Sequence, residues 1–432
     1  MDTIFAQATV PGKSGVAIVR VSGPSALHGC ARLIGSLPEP NRAALRTVRR
    51  ADGSVLDVGL IVTFQNPASF TGEDSVEFQV HGSIAVVGAL LSELQALPDF
   101  RMADAGEFTR RALMNNRLDL VQVEGLADLI DAETEAQRQQ AQRVFSGELS
   151  DLVQSWRDQL IAMSGLLEAS LDFSDEDIPE DVWSDVMKGV ASLKSDLEMQ
   201  IFRFSSAERV RDGFEVAIIG PPNVGKSTLL NAIAKRPVAL TSEIAGTTRD
   251  VIELRTDIRG LPVTFLDTAG LRDSQDDLER AGIALARDRS KKADLRIYLT
   301  DEPARAQPFD TRDIVLHAKA DLSTHELDPS FPVIKVSGLT GKGIAELLST
   351  IADRLVEVVP IESVFTRKRH LVALKDAVIA LIGFDDLAGN PLQYEFGAEK
   401  LRTVIAILDG ITGRIDVEDV LGDIFTSFCI GK

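Results

Sequence analysis

Residues 220–227 carry the clearest chemical signal in the chain, because they read Gly-Pro-Pro-Asn-Val-Gly-Lys-Ser. The spacing G-x-x-x-x-G-K-[ST] is typical of a phosphate-binding loop when a buried strand precedes it and a helix follows. In such a loop, successive backbone N–H groups and the helix N-terminus face the phosphates. Gly225 permits the tight turn, Lys226 supplies positive charge to the β- and γ-phosphates, and the Ser227 hydroxyl is a ligand for Mg²⁺.

Two further segments predict the Mg²⁺ and γ-phosphate contacts. Residues 267–270 read Asp-Thr-Ala-Gly at the end of a predicted strand. There Asp267 would hold Mg²⁺ through water, and the Gly270 N–H would approach the γ-phosphate. Thr247 and Thr248 lie in the loop between the two motifs, where a switch threonine ligates Mg²⁺.

Residues 318–321 and 337–339 predict the nucleotide base. They read Ala-Lys-Ala-Asp and Ser-Gly-Leu, and each follows a predicted strand. The Asp321 carboxylate suits the N1 and N2 hydrogens of guanine, and Lys319 suits the face of its ring. The usual motif begins with Asn, whereas this chain has Ala318. We therefore expect guanine preference with weaker affinity, and the combined motifs resemble the translation-factor class of small GTPases.

The predicted nucleotide contacts come from all of these segments. They are Asn223, Val224, Gly225, Lys226, Ser227, Thr228, Ser242, Glu243, Ile244, Ala245, Gly246, Thr247, Thr248, Asp267, Thr268, Ala269, Gly270, Lys319, Asp321, Ser337, Gly338 and Leu339.

Hydrolysis requires a group that orients the attacking water. The residue after Gly270 is Leu271, which cannot do this, whereas many GTPases have Gln there. The acidic run 276–279 offers carboxylates close by in sequence. The residues alone favour the plainer interpretation, acids placed at a helix start by the helix dipole, and leave the catalytic one open.

The pattern of predicted strands and helices along the chain indicates which domains carry these motifs. Residues 212–358 alternate strand and helix, with helices predicted to start near residues 226, 279 and 344, which indicates a mostly parallel α/β sheet. Residues 1–117 are rich in strands, with one helix over 84–97, and predict an α+β domain. Residues 118–211 and 359–432 have helical spacing, with a break between helices predicted near residues 172–177 and later helices predicted over 367–382, 397–409 and 416–427. The simplest architecture is therefore a discontinuous all-α domain with an α/β domain inserted. The first domain's predicted strands are 3–7, 16–21, 59–64 and 75–80.

Composition limits the classes of function. The chain has 432 residues, a net charge of −19 and two cysteines. The acidity argues against wrapping nucleic acid with its own surface, and so few cysteines favour a reducing compartment. No apolar run reaches the roughly 20 residues of a membrane span, and no secretory signal is evident, so we expect a cytoplasmic protein. Residues 118–211 contain 20 acidic and 8 basic residues. This acidic segment is either a solvated helix face or a docking face for a basic partner.

Motifs along the whole length resemble one family, the MnmE (TrmE) family of tRNA-modifying GTPases. They are Thr3-Ile-Phe-Ala-Gln-Ala-Thr9, Phe70-Thr-Gly-Glu-Asp74, Gly106-Glu-Phe-Thr109, Ala245-Gly-Thr-Thr-Arg-Asp250 and Phe428-Cys-Ile-Gly-Lys432. The resemblance implies an N-terminal folate-binding and dimerisation domain, a discontinuous helical domain and an inserted P-loop GTPase domain (G domain).

The same resemblance implies a reaction and its components. Family members form homodimers and act with an FAD-dependent partner of the MnmG (GidA) type, in a heterotetramer or larger assembly. Together they add an aminomethyl or carboxymethylaminomethyl group at C5 of the wobble uridine (tRNA position 34) of certain tRNAs. The one-carbon unit comes from 5-formyltetrahydrofolate or a related folate, and K⁺-dependent dimerisation of the G domains activates GTP hydrolysis.

Site roles follow from the resemblance, position by position. The Mg²⁺ ligands are Ser227 and Thr248, and the K⁺ ligands are Asn223, Ser242, Ile244 (through its carbonyl) and Thr247. Glu279 stands where the family has the acid that positions the hydrolytic water. The folate site would contain Arg20, Glu77, Arg117 (where Lys is frequent) and Lys432. Cys429 is the family's terminal cysteine, either a functional thiol or a small packed one.

Two other functional classes share some of these features. Regulatory GTPases of ribosome assembly have the same G domain, but they usually attach a basic RNA-binding module. In this chain the flanking regions are neutral and acidic. A folate-dependent one-carbon enzyme with an accessory GTPase would overlap with the family's own reaction.

Overall fold

The structure of the chain is a computed structural model, which describes residues 2–172, 182–236, 253–267, 291–302, 313–322, 333–357, 363–387, 393–414 and 431. Contacts divide the chain into two units. One consists of residues 1–127 with 409–432, and the other of residues 128–408. Each unit has its own six-stranded sheet.

The sheet of the first unit is mostly antiparallel. Its strands are β1 (Thr3–Gln7), β2 (Ser14–Ser22), β3 (Ala44–Arg49), β4 (Val55–Phe64), β5 (Ser75–Gly82) and β6 (Phe100–Met102). They lie in the order β3-β4-β5-β2-β1-β6, and β1 pairs with β6 in parallel. The four predicted strands are confirmed as β1, β2, β4 and β5. The sequence pattern misses β3, which contains two arginines, and β6, which has only three residues.

Three helices accompany this sheet: α1 (Ala26–Ile34), α2 (Ile84–Gln95) and α3 (Glu107–Met114). Helix α2 confirms the prediction over 84–97 but ends at Gln95. It begins after Ser83, whose hydroxyl accepts the Ala85 N–H at 3.3 Å. Buried residues of α1 and α2 share one apolar core with the strands, including Cys30, Leu90 and Phe78. The first unit therefore has the predicted α+β character.

Helices follow the first sheet, as the helical spacing from residue 118 predicts. They are α4 (Leu120–Asp131), α5 (Glu135–Phe145), α6 (Glu148–Asp172) and α7 (Val182–Asp212). Thr134 and Gln137 form a capping box at the start of α5. The break predicted between two helices near residues 172–177 falls largely outside the described residues, which stop at 172 and resume at 182. Gly213 joins α7 directly to the second sheet with φ +96°.

The second sheet is the predicted, mostly parallel one. Its strands are β7 (Phe214–Ile219), β8 (Glu253–Ile258), β9 (Leu261–Asp267), β10 (Leu295–Thr300), β11 (Ile314–His317) and β12 (Ile334–Lys335). They lie in the order β12-β11-β10-β7-β9-β8, and β8 pairs with β9 antiparallel. Helices α8 (Lys226–Ala234) and α9 (Ile344–Val356) confirm the predicted starts at residues 226 and 344. The helix predicted from residue 279 lies outside the described residues.

Helices α10 (Lys368–Ala380) and α11 (Tyr394–Thr412) follow the second sheet and confirm that helical texture flanks it on both sides. Trp156 of α6 stacks on Phe365, just before α10, at 5.8 Å between ring centroids. The helix predicted over 416–427 lies outside the described residues. Among the helices that the structure describes, none is both long enough and apolar enough to cross a bilayer.

Candidate functional site

The predicted phosphate-binding loop lies at the carboxyl edge of the second sheet. The chain leaves β7 at Ile219 and enters α8 at Lys226. Strand β7 pairs in parallel with β9 on one side and with β10 on the other. Strands β10, β11 and β12 also pair in parallel. Because parallel strands end at the same edge, Asp267 at the end of β9 and the motifs that follow β7, β11 and β12 converge there.

Two glycines of the loop are required for different reasons. A Cβ on Gly220 would lie 2.2 Å from the carbonyl oxygen of Leu299, so a side chain there would collide with β10. Gly225 has open space around it but a φ of +113°, which side chains disfavour. Asn223 is also left-handed, with φ +61°. The motif glycines therefore satisfy one steric and one conformational demand.

Lys226 and its neighbours have the properties that the motif predicts. The Lys226 ammonium donates to the carbonyls of Gly220 and Pro221 at 2.7 and 3.0 Å, so its charge lies against the loop. Ser227 and Thr228 lie in the first turn of α8, where the helix dipole favours anions. Val224 is 3% exposed and anchors the loop in the core.

The predicted base-reading loop alternates buried and exposed side chains. Ala318 and Ala320 are buried, and their N–H groups donate to the carbonyls of the last residue of β10 (2.8 Å) and of Val336 (3.0 Å). Lys319, with φ +54°, and Asp321 are exposed. Backbone hydrogen bonds thus hold the loop although the usual Asn is replaced by a buried Ala318.

Ser337 connects the base-reading loop to the segment after β12. Its hydroxyl donates to Asp321 and holds the pKa of that exposed carboxyl below its usual value. Ser337 itself is 1% exposed, and its hydroxyl also accepts the Thr340 N–H at 3.2 Å. Asp321 is therefore an ionised acceptor at neutral pH, as guanine recognition requires.

Gly338 joins this segment to the phosphate-binding helix. A Cβ on Gly338 would lie 2.8 Å from the carbonyl carbon and oxygen of Thr228 and 2.9 Å from the Leu229 nitrogen. The segment after β12 is therefore in direct backbone contact with the helix that follows the phosphate loop. The sequence placed Gly338 in the site but gave no sign of this packing.

The structure brings together the predicted nucleotide residues of segments 223–228, 319–321 and 337–339. Asp267 ends β9, next to β7 in the sheet. The other predicted residues of the nucleotide and terminal motifs lie outside the described residues: Ser242, Glu243, Ile244, Ala245, Gly246, Thr247, Thr248, Thr268, Ala269, Gly270, Glu279, Cys429 and Lys432.

A second predicted site lies in the first unit, around Arg20. Arg20 of β2 stands opposite Glu77 of β5, and its Nε donates to the Glu77 carboxylate at 3.0 Å. The Arg20 guanidinium lies 5.2 Å from the ring centroid of Phe70 and 5.8 Å from that of Phe108. Two of the predicted folate residues are therefore paired over aromatic rings.

Two more segments of this site can be placed. A Cβ on Gly72 would lie 3.1 Å from Cγ of Arg117, so Arg117 packs against the loop that carries Phe70. A Cβ on Gly431 would lie 2.3 Å from the carbonyl oxygen of Gln7, at the end of β1. Strand β1 pairs with β2 beside Arg20.

A buried ionic network, which the sequence did not predict, lies close to these residues. Arg111, 8% exposed, contacts Glu73, Glu107 and Asp2, and Arg101 contacts Glu107 and Asp2. Burial raises the pKa of Glu107, but hydrogen bonds from Arg101, the Asp104 backbone and Arg111 outweigh it and leave that pKa below its usual value. The hydrogen bond from Arg101 similarly lowers the pKa of Asp2.

Comparison with known families identifies two regions. A profile described as "GTP-binding protein TrmE N-terminus" fits residues 3–117. A profile described as "MnmE helical domain" fits residues 120–429, a range that includes the second sheet.

Similar curated proteins align over the full length. A tRNA modification GTPase MnmE of Dinoroseobacter shibae is 49% identical over 439 residues, covering 100% of both chains. One of Cereibacter sphaeroides is 51% identical over 436 residues, again with 100% coverage of both.

Solved structures align over part of the chain. A variant of Era from Aquifex aeolicus bound to GDP and AlF4⁻ is 26% identical, covers 41% of this chain and 68% of its own, and has a TM-score of 0.26. The G domain of the FeoB iron transporter of T. maritima is 24% identical, covers 33% and 98%, and has a TM-score of 0.25.

Gly338→Ala should weaken guanine nucleotide binding, because the new methyl group must displace the backbone of α8. Overpacking of this kind costs about 1–3 kcal/mol, which corresponds to roughly 5- to 150-fold in affinity if it falls on the bound state. A fluorescent GDP analogue measures the change. Gly165→Ala, where no atom lies within 4 Å of the new Cβ, serves as the control. Equal affinities of the two variants would contradict the packing role.

Acid should destabilise the first unit through the Arg111 network. The pKa values of Asp2 and Glu107 lie below the ordinary 3.8 and 4.5, so their contribution to the unfolding free energy is present above those values. It is lost as the pH falls through the lower pKa values of the folded state. Urea unfolding between about pH 7 and about pH 3 measures the fall. Glu107→Gln should lose less unfolding free energy than the wild type over this pH range. A loss as large as that of the wild type would show that Glu107 does not contribute to the acid sensitivity.

Proposed function

The chain belongs to the MnmE family of tRNA modification GTPases, and we propose that it hydrolyses GTP in the modification of transfer RNA. The observation that supports this most directly is the contact between Gly338 and α8, which packs the predicted base-site segment 337–339 against the helix that follows the phosphate loop. Full-length relatives about half identical to the chain carry the same activity in their names.

The phosphate loop fits a magnesium-bound triphosphate. Hydroxyl and carboxylate oxygens are the ligands that Mg²⁺ prefers, and Ser227 at the start of α8 supplies one. Ser227 and Thr248 would hold the ion, which would neutralise charge between the β- and γ-phosphates. Lys226 binds the same phosphates, and the N-terminus of α8 adds its dipole.

Guanine is the base that the site favours. Asp321 is exposed and ionised, so it accepts the N1 and N2 hydrogens of guanine, where adenine presents no matching pair of donors. Lys319 stands exposed beside it, suited to the face of the ring. Because backbone bonds anchor the loop at Ala318 and Ala320, the missing Asn reduces affinity without removing specificity.

The family resemblance supports two groups that would promote GTP hydrolysis, the Glu279 carboxylate and a K⁺ ion. Leu271 cannot orient water, so a carboxylate at Glu279 would position it at the γ-phosphate. Asn223, together with Ser242, Thr247 and the Ile244 carbonyl, would hold K⁺ when two G domains meet. The ion would then supply the positive charge that an arginine finger supplies elsewhere.

The Arg20 site is proposed to bind 5-formyltetrahydrofolate or a related folate. A folate presents a planar ring with hydrogen-bond donors and acceptors and an anionic glutamyl tail. The Arg20–Glu77 pair offers both donors and an acceptor, and Arg117 adds positive charge close to the same loop. The family resemblance adds Lys432 to the proposed folate residues. Cys429 is proposed either as a functional thiol or as a small packed side chain.

The remaining assignments follow from the family. We place the protein in the cytoplasm as a homodimer that works on C5 of the wobble uridine with an FAD-dependent MnmG-type partner. The boundaries 1–117, 118–211, 212–358 and 359–432 are proposed for its domains. The acidic residues of 118–211 are a proposed docking face for a basic partner.

Deletion of the gene should remove the C5 modification of wobble uridine, and the wild-type gene should restore it. Glu279→Ala should fail to restore it, since single-turnover GTP hydrolysis should slow by about 100-fold while GTP still binds. Mass analysis of tRNA nucleosides and rapid-quench kinetics give the two measurements. Glu346→Ala, which changes an exposed acid of α9 outside the proposed docking face, should restore modification fully. Unchanged wobble uridine after deletion would refute the proposed function.

GTP turnover should be faster in K⁺ than in Na⁺ at equal ionic strength, because ion size decides whether the site forms. Asn223→Ala should remove this preference, and the ratio of the K⁺ rate to the Na⁺ rate separates that effect from any change in nucleotide affinity. Steady-state rates in the two salts provide the test. A variant that keeps the K⁺ preference would remove Asn223 from the ion site.

A further inference from the structure

We propose that Arg111 is a positioning residue of the folate site. One buried guanidinium would hold in register the two segments whose phenylalanine rings support Arg20. This inference rests on the folate part of the proposed function. Neither Arg111 nor its partners were among the predicted folate residues.

The position of Arg20 depends on two rings from separate segments. Phe70 lies in the loop between β4 and β5, and Phe108 lies in the first turn of α3. Arg20 stacks on both rings while Glu77 holds its Nε. A relative shift of the two segments would therefore turn or expose the guanidinium.

Each of these segments is tied to Arg111 through a glutamate next to its phenylalanine. Glu73, three residues after Phe70, accepts from Nη1 of Arg111 at 3.2 Å with both oxygens. Glu107, immediately before Phe108, accepts from Nη2 at 3.0 Å. The Arg111 guanidinium is thus a direct polar link between the two ring-bearing segments.

A hydrogen bond also connects this network to β2, the strand that carries Arg20. The Ser22 hydroxyl donates to Glu73 at 2.8 Å, and Ser22 follows Arg20 by two residues in β2. Residues two apart in a strand project from the same face of the sheet. Glu73 therefore fixes the loop of Phe70 both to Arg111 and to the face of β2 that presents Arg20.

Charge alone does not explain this arrangement. Arg111 also donates to the backbone carbonyl and the carboxylate of Asp2, both at 2.9 Å, so its donors reach three residues at once. A lysine ammonium is a compact charge and cannot span them. Arg111→Lys therefore preserves the charge and removes the geometry.

Arg101 provides a matched control. It contacts Glu107 and Asp2, as Arg111 does, but no contact with Glu73 is seen among the described residues. Arg101→Lys should therefore weaken the network while leaving the two ring-bearing segments linked through Arg111.

The first measurement needs no folate. The Nε–Hε resonance of Arg20, assigned by its loss in Arg20→Lys, should carry a ring-current shift from Phe70 and Phe108 in the full chain. Arg111→Lys should abolish most of that shift, and Arg101→Lys should retain it. An unchanged Arg20 resonance in Arg111→Lys would overturn the proposal. If that variant does not fold, Glu73→Gln, which weakens the same link, replaces it with the same expected outcome.

The second measurement is the affinity for 5-formyltetrahydrofolate. Arg111→Lys should lose about tenfold or more of this affinity, with GTP hydrolysis close to wild type. Adding Arg111→Lys to Arg20→Lys should cost little further affinity, because Arg111 acts through Arg20. Additive losses would overturn the positioning role. A wild-type chain that binds no folate would refute the folate assignment itself, and the Arg20 resonance would still decide whether Arg111 positions Arg20.

Discussion

The nucleotide site depends on the parallel pairing of β7 with β9 and β10. The register pairs Ile218 with Asp267, the last residue of β9, and Ile219 with Tyr298 of β10, which continues two residues further to Thr300. Strand β11 pairs with β10 in parallel, so the phosphate loop after β7, Asp267 at the end of β9 and the base-reading loop after β11 lie at one edge of the sheet. A register shift of one residue would move each loop by about 3.3 Å and separate groups that must share one nucleotide.

Backbone contacts refine this arrangement where side chains would interfere. Gly220 lies against the carbonyl end of β10, and Gly338 lies against the first turn of α8. Both contacts hold loops together without any side chain, so the spacing between base and phosphate loops is set by the peptide backbone. The buried Ala318 follows the same principle, because its N–H, rather than a side-chain amide, anchors the base-reading loop.

The first unit uses charge for a comparable purpose. Its core of strands and helices is apolar, yet Arg111, Glu73 and Glu107 are buried close to the Arg20 site. Buried charges are costly unless they are paired and hydrogen-bonded, and here each one is. The hydrogen bonds of Arg111, which a lysine cannot reproduce, then hold together the segments that carry Phe70 and Phe108. Both segments belong to the family motifs, but the motifs alone do not explain why these segments must lie together.

The sequence by itself determined the features that are local. Spacing within residues 220–227, the alternation of 212–358 and most strands of the first unit were predictable, because such patterns depend on neighbours within a few residues. Strand β3, with two arginines in six residues, lacks such a pattern and gains its place only through pairing with β4. The contacts of Gly338 with Thr228 and of Arg111 with Asp2, 109 residues away, were decided by tertiary structure. No local spacing encodes them, because each requires two distant segments to be packed at a fixed separation.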